Sequence, residues 1–185
     1  PNDPYGQDIS AILNNFGLDQ GQVLLSREKV PPQNLAAMYN ISDVTVNVSD
    51  AEGFGLGTLE ALSCETPIIV NMTGGLQEQV TDGKNWFGWG IQPSSKAVIG
   101  SLQVPYIYED RISQEDFTKT LKKALNLTAP KYKKLSEMAL NHVNTNYNFE
   151  NYEKSWIDLM DDIIEKHGSW ENRLNHKRWY LMEVA

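Results

Sequence analysis

The sequence contains few residues of the kinds that build disulfide-stabilised, metal-binding or membrane-spanning proteins. Its 185 residues include one cysteine, Cys64, which excludes an internal disulfide and a CxxC metal site. The three histidines are scattered without the spacing of metal ligands. No apolar run reaches the length of a membrane span, and the first residues, PNDPYGQD, do not resemble a signal peptide. We therefore expect a chain with no metal and no transmembrane segment in a reducing, cytoplasmic setting.

Positive charge is also scarce. Lysine and arginine number 16 against 24 aspartates and glutamates, which gives a formal net charge of −8. The one short basic cluster, Lys131 to Lys134, has the pattern of a solvated helix face. Because an acidic chain repels a phosphate backbone, nucleic acid is not an expected partner.

The first half of the chain alternates helical and strand-like patterns. Apolar residues at helical spacing from Ile9 to Phe16, closed by Gly17, predict a helix, and a second helix follows Pro31 and Pro32. Short apolar or β-branched runs predict three strands, at residues 22–26, 44–48 and 67–71. Strands that alternate with helices indicate an α/β fold with a doubly wound, mostly parallel sheet.

The second half is less regular. Residues 85–113 have no clear period, which predicts a functional loop or small elements that the pattern does not resolve. Trailing helices follow, and the last of them carries apolar residues three or four apart from Phe149 to Ile163. We predict one domain over residues 1–165. Residues 166–185 would form an apolar tail that packs on this domain, on a domain outside this chain or on a partner.

A glycine-rich stretch, SDAEGFGLGTLEALSCETPIIV at residues 49–70, follows the second predicted strand. In a doubly wound sheet, ligands bind beyond the carboxyl ends of the strands, where this loop lies. Gly53, Gly55 and Gly57 allow the backbone to approach a ligand closely. The helix that begins near Gly57 or Thr58 presents unpaired amides, so an anion, phosphate above all, is the expected ligand.

Two carboxylates flank this anion site. Glu52 precedes the glycines, and Glu60 is expected in the first turn of the following helix. A carboxylate accepts hydrogen bonds from hydroxyl groups, so hydroxyls at both ends and phosphate in the middle suggest a nucleotide sugar. Each carboxylate also has a simpler explanation. Glu60 would stabilise the helix start by about 0.3–1 kcal/mol, and Glu52 would be a solvated loop acid.

The segment E-G-F-G-L-x-x-L-E-A-L-S-C-x-T-P-I-I-V resembles the E-x7-E signature of retaining glycosyltransferases with the GT-B fold, of the family 4 (group 1) type. The preceding LAAMYNISDVTVNVS and the following NMTGGLQEQVTDGKN also resemble that family. Residues 34–85 match its pattern strongly, and residues 113–165 match its trailing helices weakly. The resemblance implies the C-terminal, Rossmann-like, donor-binding domain of such an enzyme.

The family's functional positions can be carried over one at a time. The first glutamate of the motif, which contacts the transferred sugar, corresponds to Glu52, and the second, which holds the ribose hydroxyls, corresponds to Glu60. The backbone that meets the sugar and the diphosphate corresponds to Phe54, Gly55, Leu56 and Gly57. The Gly74–Gly75 turn would line the same cleft, or serve only as a tight turn. Arg27 and Lys29 occupy the position of the base contacts, or are surface charges.

The chain also departs from the family pattern. Glu65 stands where relatives have a glycine that ends the motif helix, so we expect either a strained left-handed residue there or a helix that ends differently. The first two strands of the donor domain, with their basic pair, and the acceptor domain have no counterpart in this sequence. We therefore expect a fragment that is inactive alone and self-associates through an open sheet edge or its tail. The full-length protein would act without a metal or other cofactor, at the membrane surface if the missing domain binds there, on a glycan, lipid or protein acceptor.

Two other functions remain open. A non-catalytic α/β module that works by protein association would explain the absent basic pair and the apolar tail. A nucleotide-sugar 2-epimerase shares the GT-B architecture, although the E-x7-E spacing argues against it.

Overall fold

The computed structural model describes residues 7–26 and 28–174. The chain divides into two compact units, with the boundary between Met38 and Tyr39. In the described ranges no helix is both long enough and apolar enough to span a bilayer.

The first unit contains the predicted helices but lacks the predicted strand. Helix α1 (Ile9–Asn15) begins where the Asp8 carboxylate accepts a hydrogen bond from the Ala11 amide, 3.1 Å. Helix α2 (Pro32–Asn40) starts at a proline, as expected, and runs across the boundary between the units. The prediction of a strand at residues 22–26 was wrong, because these residues form no sheet pairing and Leu24 is 88% exposed. An apolar run becomes a buried strand only where a neighbouring strand and a core receive it.

The second unit is built on a three-stranded parallel sheet. Strands β1 (Thr45–Asn47), β2 (Ile68–Asn71) and β3 (Gly88–Ile91) are hydrogen-bonded in that order. Helices α3 (Leu56–Ser63) and α4 (Leu76–Val80) connect them. The predicted strands at 44–48 and 67–71 and the predicted helices are confirmed, as is the α/β class with a parallel sheet.

Two hydrophobic clusters cover the two faces of the sheet. All four residues of β2 are buried, and their side chains alternate between the faces. Ile68 and Val70 pack in a cluster with residues of α3, α4 and α6, whereas Ile69 packs in a second cluster with residues of β3 and α5. Helices therefore lie on both sides of the sheet, as a doubly wound fold requires.

The region without a clear period contains three strands that the sequence pattern did not reveal. One of them is β3, and the others form an antiparallel hairpin, β4 (Ser95–Ile99) and β5 (Ile107–Arg111). The hairpin residues are mostly exposed on both faces, so they lack the alternation by which a half-buried strand is recognised.

Three helices follow the hairpin: α5 (Gln114–Leu125), α6 (Ala129–Asn146) and α7 (Phe149–His167). Their presence confirms the prediction of trailing helices. No residue of α7 is buried, and Trp156 on its apolar face is 43% exposed. Most of the predicted tail, residues 175–185, lies outside the described residues, and its packing remains a prediction.

A buried histidine joins α6 to α4. His142 is 6% exposed, and its ring stacks on Phe87 with a centroid distance of 4.0 Å. Its Nε2 lies 3.1 Å from the carbonyl oxygen of Glu78, and the Asn146 side-chain amide lies 2.9 Å from Nδ1. Burial lowers the pKa of His142, which favours the neutral ring with Nε2–H donating to Glu78. This histidine is part of the core and does not belong to the glycine-rich loop.

Candidate functional site

The carboxyl ends of β1 and β2 bring the glycine-rich loop and the Gly74–Gly75 turn together. Parallel strands end at the same edge of a sheet, so the segments that follow Asn47 and Asn71 are neighbours. The Asn71 side-chain amide donates to the carbonyl oxygen of Ser49, 2.9 Å. The Gly75 amide donates to the carbonyl oxygen of Gly53, 2.9 Å. The site therefore has two backbone walls held by direct hydrogen bonds.

The close approach of these walls requires glycine at two positions. Gly74 has φ +49°, and a Cβ there would overlap the carbonyl oxygen of Glu52. A Cβ on Gly75 would lie 2.8 Å from the carbonyl oxygen of Gly53 and 2.9 Å from that of Phe54. The turn thus packs directly against the backbone that precedes α3. This packing agrees with the tight-turn role, whereas the lining of a donor cleft by Gly74 and Gly75 stays a prediction.

The glycine-rich loop ends as the N-terminus of α3. Gly55 is the N-cap residue with φ +84°, and a Cβ there would lie 2.5 Å from Leu76 Cδ2. The helix begins at Leu56, so Leu56 and Gly57 lie in the first turn, whose amides lack partners within the helix. The structure thus places Phe54, Gly55, Leu56 and Gly57 around the positive end of a helix dipole.

The Glu52 side chain is half-buried at the start of the loop. Its Oε1 accepts from the Gly53 amide at 3.1 Å, and its Oε2 accepts from the Asn47 side-chain amide at 3.4 Å. Asn47 is itself fixed, because its Oδ1 accepts from the Ser49 amide and hydroxyl. The last residue of β1 therefore orients the carboxylate that follows it.

The position of Glu60 corrects one expectation. We predicted it in the first turn of the helix, but α3 begins at Leu56, one to two residues earlier than expected, so Glu60 lies in the second turn. It cannot stabilise the first turn as an N3 acid. The carboxylate is exposed and accepts from the Tyr39 hydroxyl at 3.0 Å. Burial, and then the hydrogen bond to Glu60, raise the pKa of Tyr39 to about 12, so the phenol remains a donor.

Arg27 lies outside the described residues, and Lys29 is an exposed residue of the first unit. Their contact with a base stays a prediction. Across residues 7–26 and 28–174, no three His, Cys, Asp or Glu side chains are grouped as metal ligands would be.

Several polar residues at this edge were not predicted as part of the site. Asp110 in β5 donates its amide to the carbonyl oxygen of Asp50, 2.7 Å, and its carboxylate accepts from the Thr73 hydroxyl, 2.9 Å. The Asn71 side-chain amide also lies 2.5 Å from the carbonyl oxygen of Asp110. The hairpin is thus fixed to the ends of both β1 and β2. The available signal was an asparagine within a β-branched run for Asn47 and at the end of one for Asn71, but no local pattern indicates Asp110.

An open cavity of about 650 Å³ lies beside Phe54, between the start of α3 and α7. Aromatic side chains dominate its lining, and Phe54 contacts Tyr147 edge to face at a centroid distance of 6.1 Å. The space next to the glycine-rich loop is therefore largely apolar. Its aromatic lining residues are Phe54, Tyr147, Phe149, Tyr152 and Trp156.

Comparison with known proteins gives a consistent result. The family model described as "Glycosyl transferases group 1" matches residues 15–142. A D-inositol 3-phosphate glycosyltransferase from Arthrobacter sp. (strain FB24) is 34% identical over 109 residues, which is 59% of this chain and 25% of that protein. A trehalose synthase from Thermococcus litoralis is 36% identical over 76 residues, 40% of this chain and 18% of that protein. The chain therefore spans about a quarter or less of the length of these relatives.

Solved structures share the fold. Sucrose-phosphate synthase from Thermosynechococcus elongatus superimposes with a TM-score of 0.65 and 21% identity, over 89% of this chain and 37% of that chain. The C-terminal domain of a group 1 glycosyl transferase family protein from Francisella tularensis superimposes with a TM-score of 0.54, over 76% of this chain and 60% of that chain. These neighbours have the GT-B architecture. Because the family model covers more than half of its residues, this chain belongs to the group 1 glycosyltransferases, and it corresponds to their C-terminal domain.

Proposed function

We propose that residues 49–60 bind a nucleoside diphosphate sugar, and that the full-length protein transfers the sugar to an acceptor hydroxyl with retention at the anomeric carbon. The observation that carries this proposal is the run of amides from Phe54 to Leu56, which have no acceptor among the described residues and lie between the carboxylates of Glu52 and Glu60. Amides at a helix N-terminus stabilise phosphate, and carboxylates accept hydrogen bonds from hydroxyl groups. The names of the relatives support an acceptor that is a polyol or a sugar.

Each part of the site would then have one task. The amides and the dipole of α3 would stabilise the charge that develops on the leaving diphosphate, so that this part of the reaction needs no metal. Glu52 would face the transferred sugar. Glu60, held by Tyr39, would accept hydrogen bonds from the ribose hydroxyls.

The ribose assignment can be tested with Glu60→Gln in the full-length protein. We expect the affinity for the preferred nucleoside diphosphate to fall about tenfold, because a hydrogen bond to a charged acceptor is worth about 1.5–3 kcal/mol. The affinity for the 2′-deoxy analogue should fall much less on this substitution, since one of the two ribose hydroxyls is already absent. Calorimetric titration with UDP, GDP and ADP, and with their 2′-deoxy forms, measures both effects.

Two outcomes would contradict parts of this proposal. If the wild-type protein binds none of the three nucleoside diphosphates or their glucose and mannose conjugates at millimolar concentration, no donor site exists. Equal losses for ribose and 2′-deoxyribose forms would remove Glu60 from the ribose site.

We also propose that the isolated 185-residue chain is inactive and self-associates. Two features support association: α7 has an apolar face without buried residues, and β1 has a partner on one side only among the described strands. Sedimentation at tens of micromolar should show species larger than 20.9 kDa. A single monomeric species at that concentration would refute the association.

A further inference from the structure

One buried side chain holds the glycine-rich loop from behind. Gln79 in α4 is 0% exposed, and its side-chain amide donates to the carbonyl oxygens of Phe54, 2.6 Å, and Gly55, 3.2 Å. Its Oε1 lies 2.5 Å from the hydroxyl of Thr58, which is also buried. The single hydrogen of this hydroxyl has two acceptors within reach, Gln79 Oε1 and the carbonyl oxygen of Gly55, which is 2.7 Å away. Both the nitrogen and the oxygen of the Gln79 side-chain amide therefore lie within hydrogen-bond distance of the loop or of α3.

Together, Gly75 and Gln79 donate hydrogen bonds to three successive carbonyl oxygens. Gly75 lies one helical turn before Gln79, and its amide bonds the carbonyl oxygen of Gly53. The carbonyl oxygens of Gly53, Phe54 and Gly55 thus all accept from the segment that contains α4. Such a row of contacts fixes the orientation of three peptide planes.

The orientation of the carbonyl groups determines where the amides point. In a planar trans peptide, C=O and N–H point in opposite directions. Holding the three carbonyl oxygens toward α4 therefore turns the amides of Phe54, Gly55 and Leu56 to the opposite side. No described residue accepts a hydrogen bond from these three amides. They form the anion-binding face that the proposed function requires.

We propose that Gln79 is a positioning residue for diphosphate binding: it touches no ligand, but it holds the peptide planes whose amides bind the diphosphate. This inference rests on the proposed function of the loop. It goes further because it makes the strength of diphosphate binding at the start of α3 depend on a buried residue of α4. A carboxamide suits this task because it offers two donors to adjacent carbonyl oxygens and one acceptor to a hydroxyl.

The main test compares Gln79→Met with Gln77→Met in the full-length protein. Methionine has a similar length but lacks the donors, and Gln77 is an exposed residue of the same short helix. With inorganic diphosphate as the probe, we expect Gln79→Met to weaken binding at least tenfold and Gln77→Met to leave it within twofold of wild type. In protein labelled with ¹⁵N at glycine, phenylalanine and leucine, diphosphate should shift the amides of Phe54, Gly55 and Leu56 in wild type and less in Gln79→Met.

A second measurement separates positioning from general destabilisation. The ratio of affinities for ribose and 2′-deoxyribose nucleoside diphosphates depends on Glu60, and it should stay unchanged in Gln79→Met although both affinities fall. If Gln79→Met instead disrupted the folded site as a whole, the preference for ribose over 2′-deoxyribose would be lost as well. Thr58→Val, which removes a hydroxyl within hydrogen-bond distance of both Gln79 Oε1 and the carbonyl oxygen of Gly55, provides a milder variant if Gln79→Met does not fold, and it should weaken diphosphate binding at least threefold.

The outcomes for this inference and for the proposed function are distinct. If wild type binds neither diphosphate nor any of the nucleoside diphosphates, both proposals are overturned. If wild type binds them with a Glu60-dependent ribose preference, and folded Gln79→Met or Thr58→Val binds diphosphate as wild type does, the role of Gln79 alone is overturned.

Discussion

Replacing Gly74 by alanine is expected to lower the free energy of unfolding by about 3–5 kcal/mol and to abolish nucleotide binding. Two effects add at this position. A residue with a Cβ at φ +49° is strained by about 1–2 kcal/mol, and the Cβ would overlap the carbonyl oxygen of Glu52. Relief of the overlap must move either the turn or the loop, and both are walls of the site. Chemical denaturation and calorimetric titration measure the two losses.

Gly83→Ala is the matched control for this variant. Gly83 also has a positive φ, +85°, but a Cβ there would meet no atom within 4 Å. Gly83→Ala therefore introduces backbone strain without an overlap, and we expect the free energy of unfolding to fall by about 1–2 kcal/mol with nucleotide binding intact. Equal losses of stability in the two variants would show that the packing of Gly74 against Glu52 contributes nothing.

Glu52→Gln should produce the largest loss of activity. We expect turnover of the sugar donor by the full-length protein to fall by about 10²-fold or more, while affinity for the nucleoside diphosphate without its sugar changes less than threefold. The reason is that the Glu52 carboxylate, which accepts from the Asn47 side-chain amide, would contact the transferred sugar, whereas the amides of Phe54, Gly55 and Leu56 would hold the diphosphate. Release of nucleoside diphosphate from the sugar donor, followed in the presence of acceptor, gives the rate.

Asp50→Asn controls for charge in this experiment. Asp50 lies two residues before Glu52, is exposed, and lies 3.9 Å from the Arg111 guanidinium. Loss of its charge should leave turnover within a few-fold of wild type. If Glu52→Gln retains full activity, Glu52 does not contact the reacting sugar. If instead Glu52→Gln abolishes turnover but the protein keeps its biological role, the non-catalytic interaction module is supported.

The parts of the fold that the sequence predicts well are those with strong local signals. Strand β2 is a compact apolar run between a helix and a turn, and it is buried at all four positions. Of the two outcomes expected at Glu65, a left-handed residue or a different helix end, the structure has the first: Glu65 has φ +60° and follows Cys64, the C-cap residue of α3. The strand expected at residues 22–26 did not form, because an apolar run alone does not specify a neighbour.

For the site, the sequence identified the loop but not its supports. The glycines and the two glutamates form one continuous motif, so they were found together. Gln79 and Asp110 reach the loop from 24 and 60 residues after Gly55 and Asp50 respectively, and their side chains have no periodicity that marks them. Hydrogen bonds between distant segments depend on the tertiary arrangement, and only the structure reveals them.

The contacts of Asp110 have a consequence for the order in which this domain folds. The Gly55–Gln79 contact closes a loop of 24 residues, whereas the Asp50–Asp110 contact closes one of 60. Because a longer loop costs more entropy to close, we expect the glycine-rich loop and α4 to associate before the hairpin docks. During synthesis, the backbone of the proposed anion site can therefore form before the hairpin has docked at this edge of the sheet.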